Sequence, residues 1–467
     1  MLSAISNYYR IPESSITFHR NNRPQAEPGF FKFDAIPCFG RCSVPVAQTA
    51  DGHLIDCGSS AQVVAGVLSL DFDPDELAEN FRRERYVDTR RRSALSRVLH
   101  RSVRGVYYGL RPLLPVAVRK HIQRAYASGW RDVVFPQWPL DASLDMLFER
   151  LLLLAMESAG VDRLPFIWFW PDGHRAAAIV THDVETTAGR DFCSRLMGLN
   201  ESYGMRASFQ VVPEQRYEVP ETFLDEIRER GFEVNIHDLN HDGSLFFEKD
   251  ELVRRAAKIN DYGRRFGALG FRSAVLYRNL DWFGALDFVY DMSVPNSAPL
   301  DPQRGGCCTV MPYFIGDLVE LPLTTIQDYS LFHVLGTYEM EIWERQIKSV
   351  LSHYGLLSFL VHPDYVIESG AQDAYRRLLE RLRSCAAQYD CWLPLPREVA
   401  RWWKQRHEMK LVKSSAGWEI QGDGAEHARV AWAMADRGRL IYSLEGDSDA
   451  LPGLLAQTAG RVRLSER

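Results

Sequence analysis

The chain has 467 residues, of which 46% are hydrophobic and 25% are charged, and its formal net charge is −6 at pH 7. This length exceeds that of one ordinary core and predicts two or three domains, and the composition is typical of a globular protein. The negative charge argues against nucleic acid as the main partner. The eight cysteines match neither a zinc ribbon nor a small disulfide scaffold, so we expect free thiols in a reducing compartment.

The beginning of the chain predicts its location. The first ten residues have neither the basic start nor the apolar core of a secretory signal. No run approaches the ~20 apolar residues that span a bilayer. We therefore expect a cytoplasmic protein.

Residues 1–165 are expected to form an N-terminal extension, mostly helical, that begins with short strands. Turn residues interrupt alternating segments up to about residue 70, and Asp73-Pro74 predicts the start of a helix. The segment Arg82–Arg131 is rich in arginine, with apolar residues interleaved. One interpretation is a pair of amphipathic helices with a solvated face. The other is contact with an anionic surface, which would place the protein at the periphery of the inner membrane.

Residues 166–408 alternate strand patterns with helix patterns. The strands are predicted at 175–181, 207–212, 232–236, 270–274, 318–322 and 356–361, and the helices at 190–203, 220–231, 249–266, 339–353, 371–389 and 397–407. Such alternation, with polar residues at the carboxyl ends of strands, is typical of a parallel α/β barrel, here with about seven strands. Residues 409–467 then predict a small β appendage.

Three short pieces in the barrel region carry candidate chemistry. Thr181-His182-Asp183-Val184-Glu185 ends one predicted strand, His237-Asp238-Leu239-Asn240-His241 ends another, and Leu360-Val361-His362-Pro363 ends a third. If the second piece turns into a helix, both of its imidazoles lie on one face. Two imidazoles and one carboxylate suit zinc or a similar divalent ion with an open position for water. The second carboxylate would be a base, and His362 an acid.

In this order the pieces, with Arg272 and Asp291 between the second and third, resemble the polysaccharide deacetylases of the NodB-homology type (carbohydrate esterase family 4). The resemblance covers about half the chain and implies a distorted (β/α)7 barrel. It implies that Asp183 is the general base, that Glu185, His237 and His241 are metal ligands, and that His362 is the general acid. Arg272 would orient Asp183 by a bidentate pair, and Asp291 would orient His362, with Asp328 and Asp364 as rivals.

Two motifs depart from the family pattern. The first reads Asp-Val-Glu, as in some branches of the family, so that the second carboxylate is displaced by one residue and Asp183 is the alternative metal ligand. The third lacks its proline, because Ala274 follows Arg272-Ser273.

The resemblance implies a metal-dependent hydrolase that removes an acetyl or other acyl group from an amino sugar, free or carried on a lipid or nucleotide. The ion would be zinc, with cobalt or nickel as alternatives. A second interpretation is a relative that hydrolyses a non-sugar C–N bond, as allantoinases and imidases do. A third is a carbohydrate-binding protein with a degenerate site.

Overall fold

A computed structural model describes residues 4–12, 18–20, 27–58, 61–64, 67–87, 129–415, 417–445 and 451–452. The predicted basic segment Arg82–Arg131 lies mainly outside these residues, so its helices and its membrane contact stay predictions. Within the described ranges, no helix combines the length and apolar character needed to cross a membrane.

The described N-terminal residues contain strands as well as helices, namely α1 (Ala4–Tyr9), β1 (Phe18–Arg20), β2 (Gly29–Phe33), β3 (Ile36–Gly40), β4 (Gln62–Val64), β5 (Val67–Leu70), α2 (Pro74–Arg82), α3 (Ser143–Ser158) and β6 (Arg163–Ile167). Helix α2 begins as predicted, because the Asp73 side chain accepts a hydrogen bond from Asp75 N and Pro74 occupies the first turn. The β2–β3 hairpin turns through Asp34 and Ala35, whose φ angles are 48° and 67°.

In the barrel region strands alternate with α-helices, except over the described residues 270–320, where four strands follow one another with only 3₁₀ turns between them. Its elements are β7 (Ala176–Val184), α4 (Thr187–Ser202), β8 (Ser208–Val211), α5 (Glu221–Glu229), β9 (Glu233–His237), α6 (Lys249–Arg265), β10 (Gly270–Arg272), β11 (Tyr290–Asp291), β12 (Tyr313–Ile315), β13 (Leu318–Glu320), α7 (Glu341–Ser352), β14 (Leu356–Leu360), α8 (Ser369–Tyr389), β15 (Cys391–Trp392) and α9 (Pro396–Glu408). The predicted α/β class is confirmed.

One sheet carries these strands in the order β12-β13-β11-β10-β9-β8-β7-β14, and β15 also pairs with β7. All neighbours are parallel except β12 and β13. Backbone pairing does not close the sheet into a barrel within the described residues. Side chains that follow β13 instead contact β14, the strand at the other end of the sheet. The hydroxyls of Thr324 and Thr325 donate to the carbonyls of Leu356 and Ser358 on β14, at 2.6 and 2.7 Å.

The last strands are β16 (Lys410–Ser414), β17 (Gly417–Gln421), β18 (Val430–Asp436), β19 (Arg439–Leu444) and β20 (Leu451–Pro452). They do not stand apart, because β18 pairs antiparallel with β6. The buried guanidinium of Arg406 on α9 joins the same region, donating to the carbonyls of Tyr8, Ile167 and Trp168. The boundaries near residues 165 and 409 therefore run through one packed layer, and the division into domains stays a prediction.

A buried polar network lies near the amino ends of β9, β10 and β11. The Tyr290 hydroxyl donates to Glu233 Oε1 at 2.5 Å and accepts from Asn235 Nδ2 at 2.7 Å, while Asn235 Oδ1 accepts the N–H of Gly270. A Cβ at Gly270 would lie 2.3 Å from the Tyr290 ring, so glycine is required there. Burial raises the pKa of Glu233 to about 7.

We expect Glu233→Gln to weaken the pH dependence of stability. The folded carboxyl holds its proton up to about pH 7, whereas the unfolded one loses it near pH ~4.3. The native state therefore binds more protons in that window, and the free energy of unfolding falls as pH rises through it, by about 3 kcal/mol. Urea unfolding at pH 4.5 and 8 measures this difference. The exposed Glu229→Gln is the control, and an unchanged pH dependence in Glu233→Gln would contradict the assignment.

Candidate metal centre

Two carboxylates stand at the carboxyl end of β7. Asp183 belongs to the strand and is 2% exposed, and Glu185 follows directly after it. Thr186 then caps α4, its hydroxyl accepting the N–H of Gly189 at 3.0 Å. The cap of α4 is thus supplied by threonine, which leaves both carboxylates available to the site.

Two imidazoles approach them from the end of β9, two strands away in the sheet, and from the loop that follows it. His237 is the last residue of β9, and the ring centroids of His237 and His241 are 4.8 Å apart. The expected helix is absent, since residues 238–241 form a loop in which Asp238 and His241 have φ of 58° and 55°. The rings therefore come together through left-handed backbone turns rather than through helical spacing.

Glu185 lies at the centre of this group. Its Oε1 is 2.9 Å from His241 Nε2 and 3.6 Å from His237 Nε2, and the ligating atoms of the three residues all lie within 4.8 Å of one another. The His237 Nδ1–H donates to the Arg272 carbonyl at 3.1 Å, which leaves the Nε2 lone pair directed at the site.

The donor set fits a divalent cation. His237 Nε2 and both ring nitrogens of His241 are buried and make no aligned hydrogen bond with a described residue. Buried polar atoms without partners are costly, and a zinc-like ion would satisfy the two Nε2 atoms. Burial alone would raise the pKa of Glu185, but the neighbouring histidines, His241 foremost, hold it well below its usual value. The carboxylate is therefore ionised, as a metal ligand must be.

Arg272 holds Asp183, as expected, although by one contact rather than two. Its fully buried Nη1 donates to Asp183 Oδ1 at 2.9 Å and to the Thr181 hydroxyl at 2.8 Å, while Nε donates to the Met292 carbonyl. Burial would raise the pKa of Asp183, and the Arg272 guanidinium lowers it below its ordinary value. Asp183 Oδ2 faces the site, 3.5 Å from His237 Nε2.

His362 closes the other side of the centre, and its partner differs from the expected one. Asp328 Oδ1 lies 2.7 Å from His362 Nδ1, and Asp328 Oδ2 accepts the His362 backbone N–H. Asp291 instead accepts hydrogen bonds from the N–H and hydroxyl of Ser293. The assignment of Asp291 as the residue that orients His362 is therefore wrong, because Asp328 occupies that position.

The charge of Asp328 also sets the state of His362. Burial alone would lower the pKa of this imidazole, but the Asp328 and Glu185 carboxylates raise it well above its ordinary value. His362 Nε2 lies 3.3 Å from Glu185 Oε1, so the protonated side of the ring faces the site.

Sequence reasoning missed two supports of His362. The Tyr365 ring packs on the His362 ring, with centroids 4.7 Å apart. Beneath them, His182 Nδ1 donates to the Val361 carbonyl and its Nε2 accepts from Asn200. Burial lowers the pKa of His182 to about 4, so the ring is neutral. The sequence signal that could have identified His182 is its position next to Asp183 in the first motif.

Comparisons with known proteins give structural likeness alone. No protein-family model and no curated protein matches the chain. Among solved structures, it is similar to a Mycobacterium smegmatis protein assigned to the polysaccharide deacetylases (18% identity, TM-score 0.43, 51% of this chain and 93% of that one). It is also similar to the allantoinase Puue (14%, 0.38, 50% and 92%) and to a Pseudomonas aeruginosa PAO1 protein assigned to the polysaccharide deacetylases (14%, 0.38, 49% and 91%). Proteins assigned to the polysaccharide deacetylases are thus among the solved structures to which the chain is similar.

We expect His237→Ala and His241→Ala each to lose zinc binding, because each removes one of three protein ligands. Zinc content after dialysis against buffered zinc, measured by plasma mass spectrometry, checks this. His427→Ala is the control, since His427 is exposed and pairs with Asp172. Full zinc occupancy in either test variant would show that the ligand set is wrong.

Proposed function

We propose that the chain is a metal-dependent hydrolase of the polysaccharide deacetylase type that removes an acetyl group from an amino sugar or glycan precursor. The observation that supports this most is the placing of Asp183 and His362 on two sides of one three-ligand group, with Glu185 within 3.6 Å of three imidazoles. Zinc, with cobalt or nickel as alternatives, would be held by Glu185, His237 and His241, where it would polarise the acyl carbonyl and acidify water.

Asp183 is suited to act as the base. Arg272 keeps it ionised and fixes Oδ1, so that Oδ2 remains to accept a proton from water as the water attacks the acyl carbon. The new C–O bond forms as that proton moves to Asp183.

His362 is suited to act as the acid. Asp328 holds Nδ1, which directs the Nε2 proton toward the centre. As the C–N bond breaks, this proton passes to the departing amine, which is otherwise a poor leaving group. The products are acetate and a free amino sugar. Asp183 returns its proton to solvent and His362 takes one up from solvent, so that both groups regain their starting states.

A substrate panel tests the proposal. The zinc-loaded chain is given N-acetylated sugars and oligosaccharides alongside ureides and cyclic imides, and released acetate and amine are measured. Acetate from an N-acetylated sugar is expected. Turnover of ureides or imides alone would favour the non-sugar alternative, and absence of turnover with zinc bound would favour a binding protein.

Asp183→Asn and Glu185→Gln should separate the base from the ligand. Asp183→Asn is expected to keep zinc and to lose turnover by about 10²-fold or more, because a base need not bind the ion. Glu185→Gln should weaken zinc retention first, with activity partly restored by excess zinc. Zinc content and turnover are measured on the same samples. The reverse pattern would show that the two roles are exchanged.

Asp328→Asn should lower turnover while leaving zinc bound. The amide cannot supply the charge that keeps His362 protonated, so we expect a loss of about 10²-fold in kcat with little change in KM. Asp291→Asn is the comparison, because Asp291 contacts Ser293 rather than His362. A larger loss of kcat in Asp291→Asn than in Asp328→Asn would contradict the assignment.

A further inference from the structure

A cavity of about 600 Å³ lies between the N-terminal residues and the loop that follows β10. One wall comes from residues 27–87 and the other from residues 278–304. This volume is within the range of pockets that hold small ligands, which occur often where two parts of a chain meet. None of the seven predicted site residues lines it.

Several close contacts fix the walls of this cavity. The Arg278 guanidinium and the Glu84 carboxylate form a buried ion pair, with Arg278 Nε 2.7 Å from Glu84 Oε2. Glu84 takes φ of 53°, a costly conformation for a residue with a side chain. A Cβ at Gly305 would lie 2.5 Å from Glu84 Oε1, and the Tyr86 hydroxyl donates to the Gly306 carbonyl. The ion pair and the hydrogen bond join the two walls, so the shape of the cavity is fixed by contacts within the chain.

The charges of the lining are unbalanced in favour of arginine. Arg278 pairs with Glu84, and Arg83 pairs with Asp281 at 3.0 Å. The remaining guanidiniums, those of Arg85 and Arg304, are exposed and make no ion pair or side-chain hydrogen bond with a described residue. Glu27 lies at the rim, and side-chain amides complete the lining, at Gln48, Asn80, Asn279 and Gln303.

We propose that this cavity binds a phosphate or diphosphate group through Arg85 and Arg304. Guanidinium forks match phosphate oxygens in pairs, and the amides offer donors for the oxygens that remain. The floor of the cavity is also connected to the candidate centre. Arg278 Nη1 donates to the Leu276 carbonyl, in the turn that follows Arg272. A ligand here therefore lies against the loop that begins at the residue holding Asp183.

Inorganic pyrophosphate is the probe, titrated calorimetrically into the full chain loaded with zinc. We expect saturable binding with one site per chain, weakened about tenfold or more in the double variant Arg85→Gln/Arg304→Gln. Arg345→Gln/Arg383→Gln removes two exposed arginines from α7 and α8 and should bind as the wild type does. Absence of binding, or an equal loss in both double variants, would overturn the proposal.

Two further measurements complete the test. The first shows whether the anion binds at the cavity or at the metal centre, and the second uses the wild type, so that a folding defect of a variant cannot affect it. His237→Ala should retain pyrophosphate affinity, since loss of it would locate the anion on the metal centre and overturn the cavity assignment. For the wild type, pyrophosphate should raise the melting temperature more than sodium chloride of equal ionic strength does. Equal shifts would mean that only ionic strength acts, and would count against the site.

The source of the phosphate is decided by kinetics. If it belongs to the substrate, a nucleoside-diphosphate-linked N-acetyl sugar should show a KM raised about tenfold in Arg85→Gln/Arg304→Gln, with kcat unchanged. If it is a separate ligand, pyrophosphate should alter turnover of a neutral N-acetyl sugar in the wild type only. The kinetic experiment rests on the proposed function, whereas the pyrophosphate titration does not. Failure of the proposed function can therefore be distinguished from failure of the cavity proposal.

Discussion

The buried contact between Arg272 and Asp183 is the constraint on which the candidate centre depends. One guanidinium on β10 reaches Asp183 and Thr181 on β7 and the Met292 carbonyl beyond β11, while the carbonyl of the same residue orients His237. A single residue therefore aligns the candidate base with a candidate ligand. A buried ion pair is costly to break, because removing one partner leaves the other charge uncompensated. Loss of Arg272 would consequently affect charge and geometry together.

Glu185 presents a second electrostatic constraint. Its carboxylate is surrounded by His237, His241 and His362, and its side chain is 14% exposed. The same negative charge that would help to hold a cation also favours a proton on His362. Asp328 directs that effect to one ring, because it binds His362 Nδ1 and not the other two imidazoles. The arrangement thus distinguishes His362, the candidate proton donor, from the candidate ligands His237 and His241.

The sequence predicts the six α-helices and six of the nine strands of residues 175–408, because buried strands and amphipathic helices differ in period; the short strands β11, β12 and β15 are not predicted. The predicted helix Lys249–Phe266, for example, is observed as Lys249–Arg265. It does not predict contacts that depend on loops. Asp291 and Asp328 both precede His362 in suitable order, and only the path of the chain after β13 brings Asp328 to the ring. Local periodicity also cannot predict the pairing of β18 with β6, because these two strands lie far apart in the sequence.

The turn after Arg272 has Ala274 where the motif that the chain resembles has proline. Val275 and Leu276 both have positive φ, near 60° and 54°, which is unfavourable for branched side chains and must be stabilised by surrounding contacts. At one end Arg272 is fixed by the strands of the site, and at the other Arg278 binds the Leu276 carbonyl and Glu84. Two buried arginines thus restrain the turn from opposite ends. The N-terminal residues are therefore part of what shapes the candidate centre.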